Sequence, residues 1–466
     1  MNLRKVNIYT ILIWGIVILF TGLYFSLIFS INIVTDEAFT LKVLRLDLTG
    51  MFELMARDVH PPIFYLYIKP FYLLFGESLI ALKIAVLIPM VLTLVVGATI
   101  IRKHFGDTVS LIYLLFISCL PCTMEFSVQV RMYSLALLSV TLCGIYAYLA
   151  RIDGKKQYFI ICGLSGVVAA YSHYFAFIST VVIVGIMLLT ILIWKKERFF
   201  SWLITAVGMI ILYLPWIPTF HKQVTAVTTD YWIPEITGDT IWSYFKWTFG
   251  STLVPWIVFV FIIIWWITSN YNTVLIFRDK KEEDIFARIC LAVPIITAIL
   301  GITLSWLTRP IYRDQYILPA LGLFALYFGI TIRNARKSII IVLSAFLLFV
   351  GAVQYKEVYQ LEYKSSNIYE TMAFFEENLQ DDDYIIYNWE LFDFIYLCHF
   401  PKEQLVYYKD FDFSGDFRNV WFLNTFWLGE GVSWEVLDEN GLTMEYIDGE
   451  FGIEHNIFEI QRIYHY

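Results

Sequence analysis

The sequence predicts an α-helical polytopic membrane protein with a small C-terminal α/β domain outside the bilayer. Three observations carry this. Of 466 residues, 59% are hydrophobic and 16% charged, with mean hydropathy +0.66, whereas a soluble domain carries roughly 25% charged residues. Uncharged runs recur at bilayer-spanning length, roughly 20 residues each. Charge is also divided unevenly. Residues 1–353 carry 27 Lys and Arg against 18 Asp and Glu, and residues 354–466 carry 6 against 23, a balance of −17. This composition excludes a secreted disulfide scaffold, a disordered regulator and an ordinary cytosolic enzyme. The two units expected are a membrane core, 1–355, and an acidic water-soluble domain, 356–466.

The first uncharged run, 6–35, follows Arg4 and Lys5. It is too long for a signal-peptide core and has no small-residue cleavage site, so it reads as an uncleaved helix. Further spans are expected near residues 90, 115, 140, 165, 185, 210, 260, 297, 325 and 345, giving about eleven in all. Residues 61–76 are apolar but contain Lys69-Pro70. Sixteen residues reach about 24 Å, short of a hydrocarbon core of about 30 Å, so an interfacial or re-entrant helix is expected there.

Positive charge orients the spans, because cytoplasmic loops collect Lys and Arg. With 61–76 not crossing, Arg4-Lys5, Arg102-Lys103, 151–156, 195–198, 278–288 and 333–337 share one face and hold 17 basic residues, against 10 on the other. The expectation is a cell-membrane protein with its N-terminus cytoplasmic and its C-terminal domain extracytoplasmic.

The unusual chemistry falls in the outer loops. The first, about 35–80, contains Asp36-Glu37 and then Asp58-Val59-His60-Pro61-Pro62. Apolar spacing over 37–57 predicts a helix lying on the membrane. Thr35 and Asp36 are good helix caps. Carboxylates at a membrane surface can equally serve as a general base toward a hydroxyl, which makes Asp36, Glu37 and Asp58 the catalytic candidates. Glu37, Asp58 and His60 are candidate ligands for a divalent metal, although the spacing is not a strong metal signature. Arg131 opens a span on the face that the positive-inside bias disfavours. It calls either for a phosphate, which a guanidinium grips bidentately, or for pairing with Glu125 or Asp314. Arg309 and Arg313 add charge on the same face, and His173 sits among aromatics in Tyr171-Ser172-His173-Tyr174. Cys119 and Cys122 read as two small apolar residues. No nucleotide cradle, zincin motif or nucleic-acid signature is present, so an enzyme here would need a lipid-borne substrate.

In the C-terminal domain, 363–379 reads as a helix, and 384–387, 404–407 and 419–423 read as strands.

The ordered motifs Asp36-Glu37-Ala38, Asp58-Val59-His60-Pro61-Pro62-Ile63-Phe64-Tyr65, Leu74-Phe75-Gly76, Arg131-Met132-Tyr133-Ser134-Leu135, Tyr171-Ser172-His173-Tyr174 and Tyr316-Ile317-Leu318-Pro319-Ala320 resemble those of bacterial family 39 glycosyltransferases. These belong to the GT-C superfamily with protein O-mannosyltransferases and the lipid A aminoarabinose transferase. Two departures stand out: Val128-Gln129 where the family usually has Gln-Glu, and Gln315 where it commonly has Arg. The resemblance implies a GT-C-type core that moves a sugar, with inversion, from a polyprenyl-phosphate donor to an acceptor hydroxyl on an extracytoplasmic glycan, lipid or protein. Asp36 would be the catalytic carboxylate, and His60, Arg131, Tyr133, His173, Arg313 and Tyr316 would contact substrate. A transporter or flippase of a lipid-linked sugar, and a polymer ligase or polymerase using a diphosphate-linked donor, are the competing classes. A transporter is expected to carry mid-bilayer polar groups on broken helices in repeated halves, and the sequence shows no repeat.

The topology is tested by reporter fusions. A fusion at residue 400 should report the external side and one within 278–288 the cytoplasm; a cytoplasmic signal at 400 would invert the assignment.

Overall fold

The computed structural model describes residues 8–226, 233–251, 282–364, 368–389, 400, 402–425, 431–453 and 456–465. Helix α1, Ile8–Leu27, is followed by a non-helical stretch and then by three short helices, α2 Thr35–Arg45, α3 Leu48–Arg57 and α4 Ile63–Phe75. Helix α5, Leu79–Val96, runs through a π-helical turn into α6, Arg102–Phe105. Then come α7 Asp107–Cys119, α8 Pro121–Glu125, α9 Tyr133–Asp153, α10 Lys156–Ser172, α11 Tyr174–Trp194, α12 Phe199–Tyr213, α13 Ile217–Ala226 and α14 Gly238–Phe249. Helices α15 Glu282–Leu307, α16 Leu321–Ile332 and α17 Lys337–Lys364 complete the bundle.

Among the described residues, eight helical stretches are long and apolar enough to cross a bilayer, and their sides expose residues such as Ile18, Phe200, Ile204 and Ile341. In a membrane protein such faces meet lipid, so they need no protein cover. The spans expected near 115 and 165 are the shorter helices α7, 13 residues, and α10, 17 residues. The one expected near 260 lies outside the described residues. Gly97 admits the close approach of α7, since a Cβ there would meet Leu114 at 2.7 Å.

The helix expected over 37–57 is two helices, because side chains satisfy the backbone groups at the break. Lys69, buried on α4, donates to the carbonyls of Leu44 and Leu46 (2.7 Å to Leu46) at the end of α2. Asp47 then caps α3 by accepting from the Gly50 amide at 2.8 Å. This also explains a lysine inside an apolar helix: its charge terminates a neighbour. With 13 residues, α4 reaches about 20 Å, short of a span. It ends beside the start of α5, where Arg45 pairs with Glu77 at 2.8 Å.

At the opposite end, acidic residues opening α15 collect the basic loops. Arg151 and Lys195 pair with Glu282, and Arg333 pairs with Glu283 and Asp284. These are loops that the charge count groups on one face.

Helix α17 continues unbroken past residue 355, and the segment read as one helix over 363–379 is the end of α17 followed by α18, Ile368–Asn378. A five-stranded sheet follows, in the order β2-β1-β3-β5-β4. Strands β1 Tyr384–Tyr387, β2 Leu405–Tyr407 and β3 Val420–Asn424 are parallel. They match the three expected strands within a residue or so. Strands β4 Leu442–Ile453 and β5 Asn456–His465 form an antiparallel hairpin on β3, and α19, Trp434–Glu439, precedes it. These three elements have no counterpart in the sequence reading: the hairpin carries charges such as Glu445, Asp448, Glu459 and Arg462, which blur its alternation.

Asp383 holds the domain together. Its buried carboxylate accepts from Arg418 Nε at 2.8 Å and Nη2 at 2.6 Å, and from the Asn419 amide and the Trp421 indole at 3.1 Å each. Burial alone would raise its pKa, but the hydrogen bonds from Arg418 and Trp421 outweigh it and hold the carboxyl below the ordinary 3.8. Its stabilising effect is therefore present above that value and is lost as pH falls below it. Replacing Asp383 by Ala strands the buried Asn419 and Trp421 donors, while the part-exposed Arg418 returns to water, and should cost the domain about 1–3 kcal/mol. Hydrogen exchange of the β1 and β3 amides measures this, and exchange as slow as in the native chain would show that Asp383 is not needed.

Candidate functional site

The site begins where α1 stops being a helix. The carbonyls of Ser30 and Asn32 accept from buried Lys83 at 2.9 and 3.0 Å. The Ser30 hydroxyl donates to the Glu362 carbonyl at 3.0 Å, and the Ile31 amide donates to the Tyr369 hydroxyl at 3.2 Å. The stretch is thus clamped between α5 and the α17–α18 junction. It leads into α2 with Asp36 and Glu37 in the first turn.

Glu37 points inward. One carboxylate oxygen accepts from the Val34 amide at 2.9 Å and the other from the Val130 amide at 2.5 Å. It therefore ties the start of α2 to the turn that carries Arg131. Expected as a catalytic or metal-binding carboxylate, Glu37 is found sealed away and engaged with backbone. Burial raises its pKa to about 7, against the opposing charge of Lys83 and the two amide donors.

Asp36 points outward, its side chain 46% exposed, while Arg131 is 2% exposed. Arg131 Nη1 donates to the Asp36 carbonyl at 3.0 Å and to Thr40 Oγ1 at 3.5 Å, and Nη2 lies 3.6 Å from Asp36 Oδ2. Nη2 also donates to His60 Nε2 at 2.8 Å. That nitrogen accepts, so the proton of a neutral His60 ring lies on Nδ1, where it faces the Asp58 carboxylate. Burial would raise the Asp58 pKa, but its contact with His60, the Val59 amide and the charge of Arg131 outweigh that and hold it below the usual range. Asp58, His60, Arg131 and Asp36 are therefore one chain of contacts. Glu125 and Asp314, the partners considered from sequence, are not among those Arg131 contacts.

Among the described residues, no three His, Cys, Asp or Glu side chains come together as a metal would require. Glu37 does not fit the expected ligand set, because both its oxygens hold amides.

Beside His60 opens a cavity of about 420 Å³, lined by Val59, His60, His173, Tyr174, Phe175, Phe177, Ile178, Phe220, Gln223, Val224, Leu304, Thr308, Arg309, Ile311 and Tyr316. Its walls are mostly apolar; among the described residues its basic groups are His60, His173 and Arg309, and no carboxylate lines it. Gln223 fastens one wall by accepting from the Tyr174 hydroxyl and donating to the Met55 carbonyl at 2.7 Å. The opposite wall is the 308–316 turn. There Ser305 Oγ accepts from the amides of Ile311 and Tyr312 at 3.1 Å, and Tyr316 stacks on Phe175 at 4.9 Å.

Tyr133 is buried against His173, with ring centroids 5.3 Å apart. Arg313 pairs with Asp314 at 3.6 Å and is not among the cavity's lining residues; Arg309 is. Arg131, expected on a phosphate, is closed in by the loop, because an unsolvated guanidinium needs its acceptors close by. Thr40, Tyr65, Gln223 and Arg309 are additions to the expected set. Thr40 follows Asp36 by four residues on one helix face, and Tyr65 is buried within reach of Arg131's charge. The Cys pair is unremarkable: Cys119 and Cys122 are buried and free, in keeping with the apolar reading.

A family profile described as dolichyl-phosphate-mannose-protein mannosyltransferase matches residues 59–218. No curated protein matches. Among solved structures, ArnT from Cupriavidus metallidurans in the apo state aligns with TM-score 0.58 and 12% identity, covering 96% of this chain and 98% of that one. The same protein bound to undecaprenyl phosphate aligns with TM-score 0.55, 12% identity and the same coverage. The expected resemblance is borne out, and the chain shares the fold of that solved protein.

The Glu37 clasp carries a pH signature. With a folded pKa of about 7 against an ordinary 4.5, the folded protein keeps a proton that the unfolded chain releases. The associated stability is complete below the ordinary value and is lost as pH rises through 7. Thermal unfolding of wild type and Glu37→Gln from pH 4 to 8 should show this decline only in wild type; parallel curves would remove the assignment.

Proposed function

We propose that the protein is a membrane glycosyltransferase that moves a sugar from a polyprenyl-phosphate donor to an acceptor hydroxyl on the extracytoplasmic side. The observation that carries the reading is a half-exposed carboxylate, Asp36, held by a buried guanidinium whose partner His60 lines an apolar cavity with basic groups and, among the described residues, no acidic ones. Such a cavity suits an isoprenoid tail and a phosphate head, and the carboxylate suits an acceptor hydroxyl. The match to a solved GT-C protein bound to undecaprenyl phosphate supports the choice of donor. The basic loops gathered at the far end support a cytoplasmic N-terminus.

The step follows from this arrangement. An alcohol is a poor nucleophile at neutral pH, so it needs a base. Asp36 takes the acceptor's proton while its oxygen attacks the anomeric carbon. The bond from that carbon to the phosphate oxygen breaks on the opposite face, and the phosphate leaves with the electron pair, so the anomeric centre inverts. A phosphate leaves without protonation when its growing charge is stabilised, and Arg309 is the guanidinium placed at the cavity for that. Arg131 acts one step back: it orients Asp36. The sugar and the acceptor are left general, as hexose or pentose and as glycan, lipid or protein. The ionisable groups of this site, Asp36, Asp58, His60 and Arg131, lie together, which favours transfer at a surface over carriage across the bundle.

Asp36→Asn is nearly isosteric and cannot take the proton, so turnover should fall about 10²–10⁴-fold with donor binding little changed. Arg309→Ala should show the complementary pattern, a raised KM for the lipid-linked donor. The assay is release of lipid phosphate from a panel of polyprenyl-phosphate sugars; near-native turnover in Asp36→Asn would remove the base.

A further inference from the structure

We propose that His173 is a donor-binding residue that presents one fixed Nε2–H to a phosphate oxygen of the polyprenyl-phosphate donor. This rests on the donor class proposed above and adds the neutral group that recognises its head.

His173 lies between α10 and α11, is 5% exposed, and caps α11. Its Nδ1 accepts from the Phe175 amide at 3.1 Å. A ring nitrogen that accepts carries no proton, so the neutral imidazole holds its proton on Nε2. The backbone therefore selects the tautomer. The ring is packed between Tyr316 and Tyr133, at centroid distances of 4.7 and 5.3 Å. Nε2 has no hydrogen-bond partner among the described residues and is not sealed from solvent, and the residue lines the cavity. It is a buried donor on a residue that lines the cavity.

Among the described residues the missing acceptor is not in the wall, since none of those lining the cavity is Asp or Glu. Burial first, then the charges of His60 and Arg131, pull the His173 pKa well below the ordinary 6.5. In the unliganded protein the ring is thus held as a neutral donor. An anionic oxygen supplied by the ligand satisfies this geometry, and the apolar remainder of the cavity accommodates the attached tail. No proton is transferred; the N–H only shares its hydrogen with the phosphate.

Two substitutions separate binding from capping. His173→Asn keeps an oxygen that can accept from the first turn of α11, but its side chain ends short of the Nε2 position. His173→Gln reaches that position with an N–H and gives up the cap. The full-length protein in nanodiscs is titrated with undecaprenyl phosphate, undecaprenol and inorganic phosphate. A hydrogen bond to a charged group corresponds to about 10- to 100-fold in affinity. His173→Asn should lose that much for undecaprenyl phosphate, with unchanged affinity for undecaprenol and a near-native melting temperature. His173→Gln should keep most of the affinity and melt lower. Inorganic phosphate should not compete; competition would assign the site to free phosphate and overturn the inference. Native affinity in His173→Asn, with loss confined to His173→Gln, would make His173 a cap alone and also overturn it. No binding of undecaprenyl phosphate by wild type would overturn the donor class itself, and this assignment with it.

Discussion

The loop end of the molecule is organised around a guanidinium removed from water. Arg131 is buried and reaches Asp36, Thr40 and His60, residues 71 to 95 positions away in sequence. Taking such an ion out of solvent costs several kcal/mol unless its donors are met. Here the acceptors come from α2 and from the turn after α3, so both must lie where the guanidinium can reach them. Asp58 extends the same chain by pairing with His60. Disturbing any member strands a charge.

The same logic recurs around it. Lys69 ends α2, Lys83 gathers the carbonyls after α1, and Glu37 clasps two amides. Each is a charged side chain spent on peptide groups that irregular backbone leaves open. Near a bilayer that need is acute, because water is scarce and unsatisfied peptide groups are costly. The loop is thus a folded unit with an internal polar scaffold, and it leaves Asp36 as its exposed carboxylate beside the cavity. Tyr369, from the helix that opens the C-terminal domain, holds the Ile31 amide at the root of this scaffold. The acidic domain and the loop therefore share an anchor.

Base and phosphate cation, in the proposed reaction, are separate groups. Arg131 conditions the carboxylate, and Arg309 faces the cavity. This division suits a transfer in which the acceptor must lose a proton and the leaving group must not gain one.

The sequence by itself determined the membrane class, the positions of most helices, the three parallel strands and the unusual standing of Asp36, Asp58, His60, Arg131 and His173. Each of these rests on local patterns: runs of apolar residues long enough to cross a bilayer, alternation over a few residues, and charges where lipid disfavours them. Only the tertiary structure decided partners. Arg131 was legible as a charge in need of an acceptor, yet its acceptors lie far along the chain. Glu37 and Asp36 are neighbours of like chemistry, and one turn of helix sends one to the backbone and the other toward solvent. Arg309 and Arg313 sit four residues apart in one turn, and the Ser305-held backbone sets the first at the cavity and the second beside Asp314. The β4–β5 hairpin escaped notice because its pairing with β3, not its own alternation, makes it a sheet. Helix formation and lipid burial depend on nearest neighbours in sequence, whereas the direction in which a polar side chain points is set by whichever distant group must be satisfied.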